Sequence, residues 1–353
     1  MKKKVKIKDI ALYSKGTQIN GDELLEEAKF DYLNGGIKPS GKWDNANCVA
    51  NTVTISEGGN SCGYVNFMKN PFWCGAHCYF LYDTKIDSKY LYYALKSQQV
   101  RIMKLRSGAC MPNIKKTDLG NFEFVCDDNS IEQKKITHIL DKLECVIEQR
   151  KNEIQVFDEL VKARFVEMFG DLRDNGKGWE IKTLDELSYL ITDGEHITPR
   201  RTTDGIYLLS ARNILNHSLR LDDVDYIDQE EYARIAKRVV PKKGDVLISC
   251  SGTVGRCCSV PAGIKFQMVR SVALIRFKEE INPVFAEYMI TSDYLQAQIN
   301  GSKTASSQSN LFQGKIRALK GFAPPIELQI QFLQFVQQIA KSKLQVYQCI
   351  VAN

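Results

Sequence analysis

The sequence predicts an α+β fold in which two similar globular units are each followed by a long helix, the two helices pairing as an antiparallel coiled coil. Three observations predict it: one order of segments is written twice, a heptad-spaced apolar stripe closes each copy, and the remainder mixes short apolar runs with Gly- and Asn-rich turns. The 353 residues, 44% of them hydrophobic, suffice for two cores of ordinary size.

Taken in order, the first unit carries Val53–Val65, VTISEGGNSCGYV, and the second carries Val246–Val260, VLISCSGTVGRCCSV. Each is an apolar β-type run ending in Ile-Ser, a Gly-rich turn and a return strand. A further short strand follows in both copies, HCYFLYD from His77 and VALIRF from Val272. Next comes a helical segment, SKYLYYALKS from Ser88 and PVFAEYMITS from Pro283. Polar loops follow at Ser107 and Lys303, and then SIEQKKITHIL from Ser130 parallels PIELQIQFLQF from Pro325. Aligning Ile131 with Ile326 sets the repeat offset at 195 residues.

The closing segments have the clearest periodicity. Ile136, Leu140, Leu143, Ile147, Ile154, Phe157 and Val161 step by three and four, with Arg150 and Arg164 interrupting the stripe. No Gly or Pro breaks Ser130–Phe169, so a continuous helix of about 60 Å is expected. Phe332, Val336, Ile339, Val346 and Ile350 repeat the stripe over a shorter helix of about four heptads. The organisation is therefore a first globular domain at 1–129, a spacer helix at 130–169, a linker at 170–178, a second globular domain at 179–325 and a C-terminal helix at 326–353. Three glycines and mixed charge in GDLRDNGKGW mark the linker.

Charge and composition narrow the function. A net charge of +6, split evenly between the halves, describes neither a polycationic arm nor an acidic disordered chain. No run of 18 apolar residues and no secretory leader is seen, so the protein is expected in the cytoplasm, away from membranes, with its 11 cysteines as reduced thiols. Cys74, His77 and Cys78 lack a second ligand pair, so no metal site is expected. Gly170–Lys177 has the wrong spacing for a phosphate loop, and Gly178 stands where Ser or Thr must bind magnesium. Asn70, Pro71, Phe72 and Trp73 read as a turn with a core aromatic, since no Gly-rich AdoMet loop precedes them. The four histidines are scattered and no nucleophile motif is present, so no catalytic centre emerges. The duplicated glycines, Gly58, Gly59 and Gly63 against Gly252 and Gly255, fit either a tight strand turn or a phosphate cradle.

At these motifs the sequence resembles the DNA-specificity subunits of type I restriction-modification systems. YLNGGIKPSGKW from Tyr32, with TISEGGNSCGYVNF and NPFWCGAHCYF, resembles one class of their target-recognition domains. Asp193, Gly194, Glu195, His196, Ile197, Thr198 and Pro199, followed by GIYLLSARNI, resemble another, in which Thr is usual where Glu195 stands. LDKLECVIEQRKNEIQVFDELVKARFVEMFGD from Leu140 resembles the central spacer. The resemblance implies a non-catalytic binding subunit whose two target-recognition domains read the halves of an asymmetric bipartite duplex-DNA site. The paired helices would act as a ruler against a duplex turn of about 34 Å. It further implies two modification (methyltransferase) subunits for adenine N6 methylation and motor-nuclease restriction subunits for cleavage. No cofactor is expected on this chain; AdoMet, ATP and Mg belong to those partners. Two other readings compete: an enzyme with intrinsic DNA methyltransferase activity, and a degenerate scaffold or decoy that reads no DNA.

DNA contact needs cations for phosphates and amide or guanidinium groups for base edges. Candidates in the first unit are Lys38, Ser40, Lys42, Asn60, Arg106, Asn113, Lys115 and Lys116. In the second they are His196, Arg200, Arg201, Arg212, Asn213, Arg256, Lys303, Ser306, Ser307, Gln308, Lys315 and Arg317. Singly each also reads as a solvated surface group; as clusters they point to a binding edge. Arg212 and Asn213 have the added alternative of completing a hydrogen-bond network at a strand end.

Overall fold

A computed structural model describes residues 2–108, 112–301 and 310–351, and the chain divides into two compact units, 1–149 and 150–353. The first unit holds strands β1 (Lys2–Lys6), β2 (Leu12–Lys15), β3 (Phe30–Leu33), β4 (Gly41–Trp43), β5 (Thr52–Ser56), β6 (Val65–Met68), β7 (Phe72–Cys74), β8 (Cys78–Tyr82) and β9 (Glu123–Asp127). Its helices are α1 (Ile7–Ile10), α2 (Ser88–Lys96), α3 (Gln99–Met103), α4 (Lys116–Gly120) and the start of α5 (Ser130–Phe169). The second unit holds β10 (Ile181–Thr183), β11 (Ser188–Asp193), β12 (Ile206–Leu209), β13 (Ile214–Leu215), β14 (Ser218–Leu219), β15 (Asp225–Ile227), β16 (Val246–Ser249), β17 (Cys257–Ser259), β18 (Phe266–Met268), β19 (Val272–Phe277) and β20 (Lys320–Phe322). With them are α6 (Gln229–Ala236), α7 (Pro283–Thr291), α8 (Asp293–Gly301), α9 (Gln313–Ala318) and α10 (Ile326–Val351).

The repeat read from the sequence is a repeat of topology. An antiparallel sheet ordered β2-β8-β5-β6 in the first unit matches β11-β19-β16-β17 in the second. A second sheet, β4-β3-β7, matches β15-β12-β18, each with one antiparallel and one parallel pair. The terminal pairs β1-β9 and β10-β20 also match. Only apolar or small residues line β5 and β16, which are buried along their whole length. Central strands covered on both faces require that pattern. The hairpin β13-β14 belongs to the second unit alone among the described residues.

Both units fasten their closing helix by the same buried amide. Gln133 Oε1 accepts the Asp87 N–H at 3.3 Å while its Nε2 donates to the Asp127 carbonyl at 2.7 Å. Gln329 Oε1 accepts the Asn282 N–H at 2.7 Å, and its Nε2 donates to the Glu280 and Pro324 carbonyls at 2.8 and 2.7 Å. Asp87 and Asn282 are themselves the caps of α2 and α7, accepting from Tyr90 N and Val284 N. A buried carboxamide is tolerable only when bonded, so these contacts fix each helix start. They relate the closing helices by 196 residues, one more than the offset from Ile131 and Ile326.

Within the second unit the C-terminal part of α5 lies antiparallel to α10. Phe165 and Phe169 meet Phe332 with ring centroids 5.4 and 5.6 Å apart, the Arg164 guanidinium lies over Phe335, and Asp158 pairs with Lys343. Falling numbers on one helix thus meet rising numbers on the other. Phe157, Val161, Phe332, Val336 and Ile339 of the expected stripe join one apolar core with Phe285 and Phe322, and Val346 is buried. Ile154 is half-buried, and the Ile350 side chain lies outside the described residues. In the first unit Ile136 packs on the core around Leu91 and Phe124, Leu140 and Ile147 are half-buried, and Leu143 is exposed.

That packing moves the boundary. The division between compact units falls at Gln149/Arg150, inside α5, because Phe165 and Phe169 bind the end of this helix into the second core. The stretch 170–178 is not a loose linker. Gly170 ends α5 at φ +80°, Leu172 is buried, and the Asn175 side chain bonds both N and O of Trp179. The indole of Trp179 in turn donates to the Phe169 carbonyl at 2.7 Å and stacks on Phe322. Among the described residues no helix is long and apolar enough to cross a membrane.

Candidate nucleic-acid interface

In the first unit, backbone and side-chain hydrogen bonds gather five loops at one end of the strands. The Gly-rich turn after β5 closes through Gly63 N to Ser56 O at 2.8 Å. Its hydroxyls hold the loop after β3, with Ser56 Oγ and Ser61 Oγ both donating to the Gly35 carbonyl. Asn34 links that loop to Gln18 and to His77 N. The turn also binds the loop before α4 through Gly59 N to Pro112 O and Ile114 N to Glu57 O, at 3.1 and 2.9 Å. The second unit repeats the arrangement. Gly255 N bonds Ser249 O at 2.9 Å, Leu311 N bonds Cys250 O at 2.8 Å, and Ser251 bridges to Asn310 as Gly58 bridges to Asn113.

In both units these glycines shape the turn. Gly59 and Gly252 adopt φ of +72° and +67°, Gly63 and Gly255 of +85° and +90°. A Cβ on Gly63 would lie 2.8 Å from the Met103 backbone. Gln99 and Gln296, which the sequence analysis passed over, hold the turn carbonyls of Gly63 and Gly255 from the neighbouring helices. Their signal in the sequence was one Gln at a matching place in each copy.

A second omission concerns the Asp193–Pro199 motif. Gly194 N bonds Val272 O and Glu195 N bonds Met268 O, while Gly16 N bonds Cys78 O and Thr17 N bonds Cys74 O. Gly16 and Thr17 are therefore the first unit's counterpart of Gly194 and Glu195. Both glycines are required by close approach, since a Cβ would lie 1.9 Å from the Cys74 carbonyl or 2.4 Å from that of Met268. The preceding residues differ in sign: Lys15 pairs with Glu57 at 2.6 Å, whereas Asp193 accepts from His196 at 2.8 Å and pairs with Arg238.

Of the residues singled out in the first unit, Lys38 and Ser40 are exposed on the β3–β4 loop and Lys42 on the returning strand. Asn60 stands exposed at the tip of the Gly-rich turn, with Arg106 and Asn113 exposed on the adjoining loop. Lys115 is exposed at the start of α4, and Lys116 reaches over the Tyr13 ring, 5.6 Å from its centroid. In the second unit Arg256 is half-buried at the Gly-rich turn and Lys315 is exposed on α9. Lys303, Ser306, Ser307 and Gln308 lie outside the described residues.

One expectation needs correction, and two further candidates have partners within the unit. Asn213 is fully buried, so it cannot reach a base edge. Its Oδ1 accepts from Ser210 N and Oγ, and its Nδ2 donates to the Arg220 and Asp223 carbonyls, which makes it the core of a turn. Arg317 pairs with Asp185 and donates to the Ile191 carbonyl at 2.7 Å, fastening α9 to β11. Arg200 is exposed and lies among Glu230, Asp228 and Glu231 at 3.0, 3.8 and 3.9 Å.

Arg201 and Arg212 behave differently. Both are exposed and share one carboxylate, Arg201 Nε to Asp225 Oδ2 and Arg212 Nη2 to Asp225 Oδ1, each at 3.0 Å. Nearby, Arg234 bonds the buried Glu231 through both Nε and Nη2, which holds its carboxyl below the usual range. Among the described residues no group of three His, Cys, Asp or Glu side chains is placed to hold a metal.

The family model of the type I restriction modification DNA specificity domain matches residues 2–156. A protein of Mycoplasma genitalium named as a type I specificity subunit is 33% identical over 198 residues, 51% of this chain and 48% of that one. One of Mycoplasma pneumoniae, with the same designation, is 34% identical over 184 residues, 51% and 49% of the two chains. The chain thus spans about half the length of the curated relatives it matches. Among solved structures, the crystal structure of the type I restriction-modification S subunit of M. genitalium superposes with a TM-score of 0.60 at 22% identity, covering 100% of this chain and 92% of that one. A chain from a structural study of complex assembly and conformational transition of the type I system gives 0.55 at 14% identity, covering 99% and 94%. At those identities the likeness establishes the fold.

Proposed function

We propose that the chain is a specificity subunit of the type I restriction-modification kind, as the domain match over residues 2–156 and the Mycoplasma relatives support, and that it reads an asymmetric bipartite site on duplex DNA, one half per unit. The observation that carries this is the duplicated loop edge. The same backbone hydrogen bonds recur in both copies, yet the side chains differ, Lys15 against Asp193, Thr17 against Glu195 and Tyr64 against Arg256. Equal scaffolds with unequal surface groups are what two different half-sites require.

In this reading the closing helices set the spacing between half-sites, and the chain itself makes and breaks no covalent bond. It directs two modification subunits to methylate adenine N6 and motor-nuclease subunits to cleave; AdoMet, ATP and Mg ions act on those partners. Fluorescence titration of the full chain with its modification partner on a mixed-sequence duplex tests the reading. Affinity falls steeply and linearly in log salt if lysines and arginines displace counterions. Binding that is absent, or indifferent to salt, overturns it.

A further inference from the structure

We propose that Asp225 is a positioning residue that holds Arg201 to read a guanine in the half-site contacted by the second unit; this rests on the reading above. Arg201 binds the carboxylate through Nε alone, at 3.0 Å, and its two terminal nitrogens have no hydrogen-bond partner among the described residues. Those terminal N–H groups form the fork that matches guanine O6 and N7. The other carboxylate oxygen holds Arg212, so Asp225 is itself clamped between two cations.

Both arginines rise from rigid backbone. Thr202 N bonds Tyr226 O at 2.9 Å, tying the Arg201 loop to β15, where Asp225 is paired with Leu208. Arg212 sits on the turn organised by buried Asn213. A guanidinium neutralised by its own carboxylate gains little from a phosphate, which attracts unpaired charge. What it gains is a fixed plane, and planar bidentate recognition depends on that. The arrangement therefore favours base reading over backbone contact. Asp223, 3.7 Å from Arg212 Nη2, adds a second negative charge that disfavours phosphate at this point.

The test is selection from a random-sequence duplex library by the full chain with its modification partner, followed by sequencing, for wild type, Asp225→Asn and Arg201→Lys. Wild type selects two fixed half-sites with at least one invariant guanine. Asp225→Asn lowers the preference for one such guanine by about tenfold, inside the range of about 5- to 150-fold for one bidentate contact, and leaves other positions and the salt slope unchanged. Arg201→Lys, which keeps the charge and Asp225, loses the same guanine. A uniform affinity loss in Asp225→Asn, or no change at any guanine in either variant, overturns the assignment while leaving DNA reading intact. Failure of wild type to select any sequence overturns both.

Discussion

Replacing Gln329 by Leu removes a buried carboxamide of nearly equal volume and leaves the Asn282 N–H and the Glu280 and Pro324 carbonyls without their partner. An orphaned buried group costs about 1–3 kcal/mol, and of these three only the Pro324 carbonyl is fully buried while those of Asn282 and Glu280 keep some access to water; a loss in the lower part of the summed range of about 3–9 kcal/mol, about 3–6 kcal/mol, is therefore expected, a large part of the roughly 5–15 kcal/mol that holds a domain folded. For a unit of this length the midpoint should fall on the order of 10 °C. Gln133→Leu leaves the Asp87 N–H without its 3.3 Å partner, while the Asp127 carbonyl keeps the Cys126 thiol at 3.2 Å, so about 1–3 kcal/mol is expected. Gln337, exposed on α10, serves as control and should change little when made Leu. Scanning calorimetry of the full chain separates the three. A Gln329→Leu midpoint within about 2 °C of wild type, or a larger loss for Gln133→Leu, would refute the account of how the closing helices are fastened.

Other consequences follow from the same contacts. Lys115→Ala with Lys116→Ala should weaken duplex binding equally for all sequences and reduce the salt slope by about one for each phosphate contact removed, measured by titration at several ionic strengths. Glu231 is held ionised by Arg234, so its contribution to stability is complete above its unfolded value near 4.5 and is lost as pH falls through the lower folded value. Glu231→Gln should therefore flatten the acid limb of stability below pH 4.5 in urea titrations, and an unchanged limb contradicts the pair. Burial raises the Cys257 thiol well above its usual value and pushes Cys250 and Cys258 up to about 12. Iodoacetamide at pH 8 should mark exposed Cys145 in the native protein and those three only after denaturation, read by peptide mass spectrometry.

The parts of this fold that were legible in the sequence are those whose cause is local. Heptad spacing from Ile136 to Val161 and the absence of breakers located α5, and apolar runs ending in Ile-Ser just before glycines located both Gly-rich turns. Parts depending on distant partners were not legible. Gly16–Thr17 match Gly194–Glu195 only through bonds to strands far along the chain, and a two-residue likeness carries no signal by itself. Asn213 has the chemistry of a DNA reader, but its complete burial, set by residues distant from it in the chain, decides its use. The glycines of 170–178 suggested a linker, and Trp179 and Leu172 anchor that stretch in an apolar core, which its local composition does not show. The offset of 195 from Ile131 and Ile326 is also that of the caps Asp87 and Asn282, whereas the buried amides Gln133 and Gln329 stand 196 residues apart, so the spacing shifts by one residue between cap and closing helix.

Methylation sequencing of genomic DNA from cells with and without this gene tests the central claim most directly. The account predicts one adenine-methylated motif that depends on the gene, made of two dissimilar specified halves separated by a gap of constant length. A gene-dependent motif that is continuous or palindromic, or a methylation pattern unaffected by loss of the gene, would contradict it.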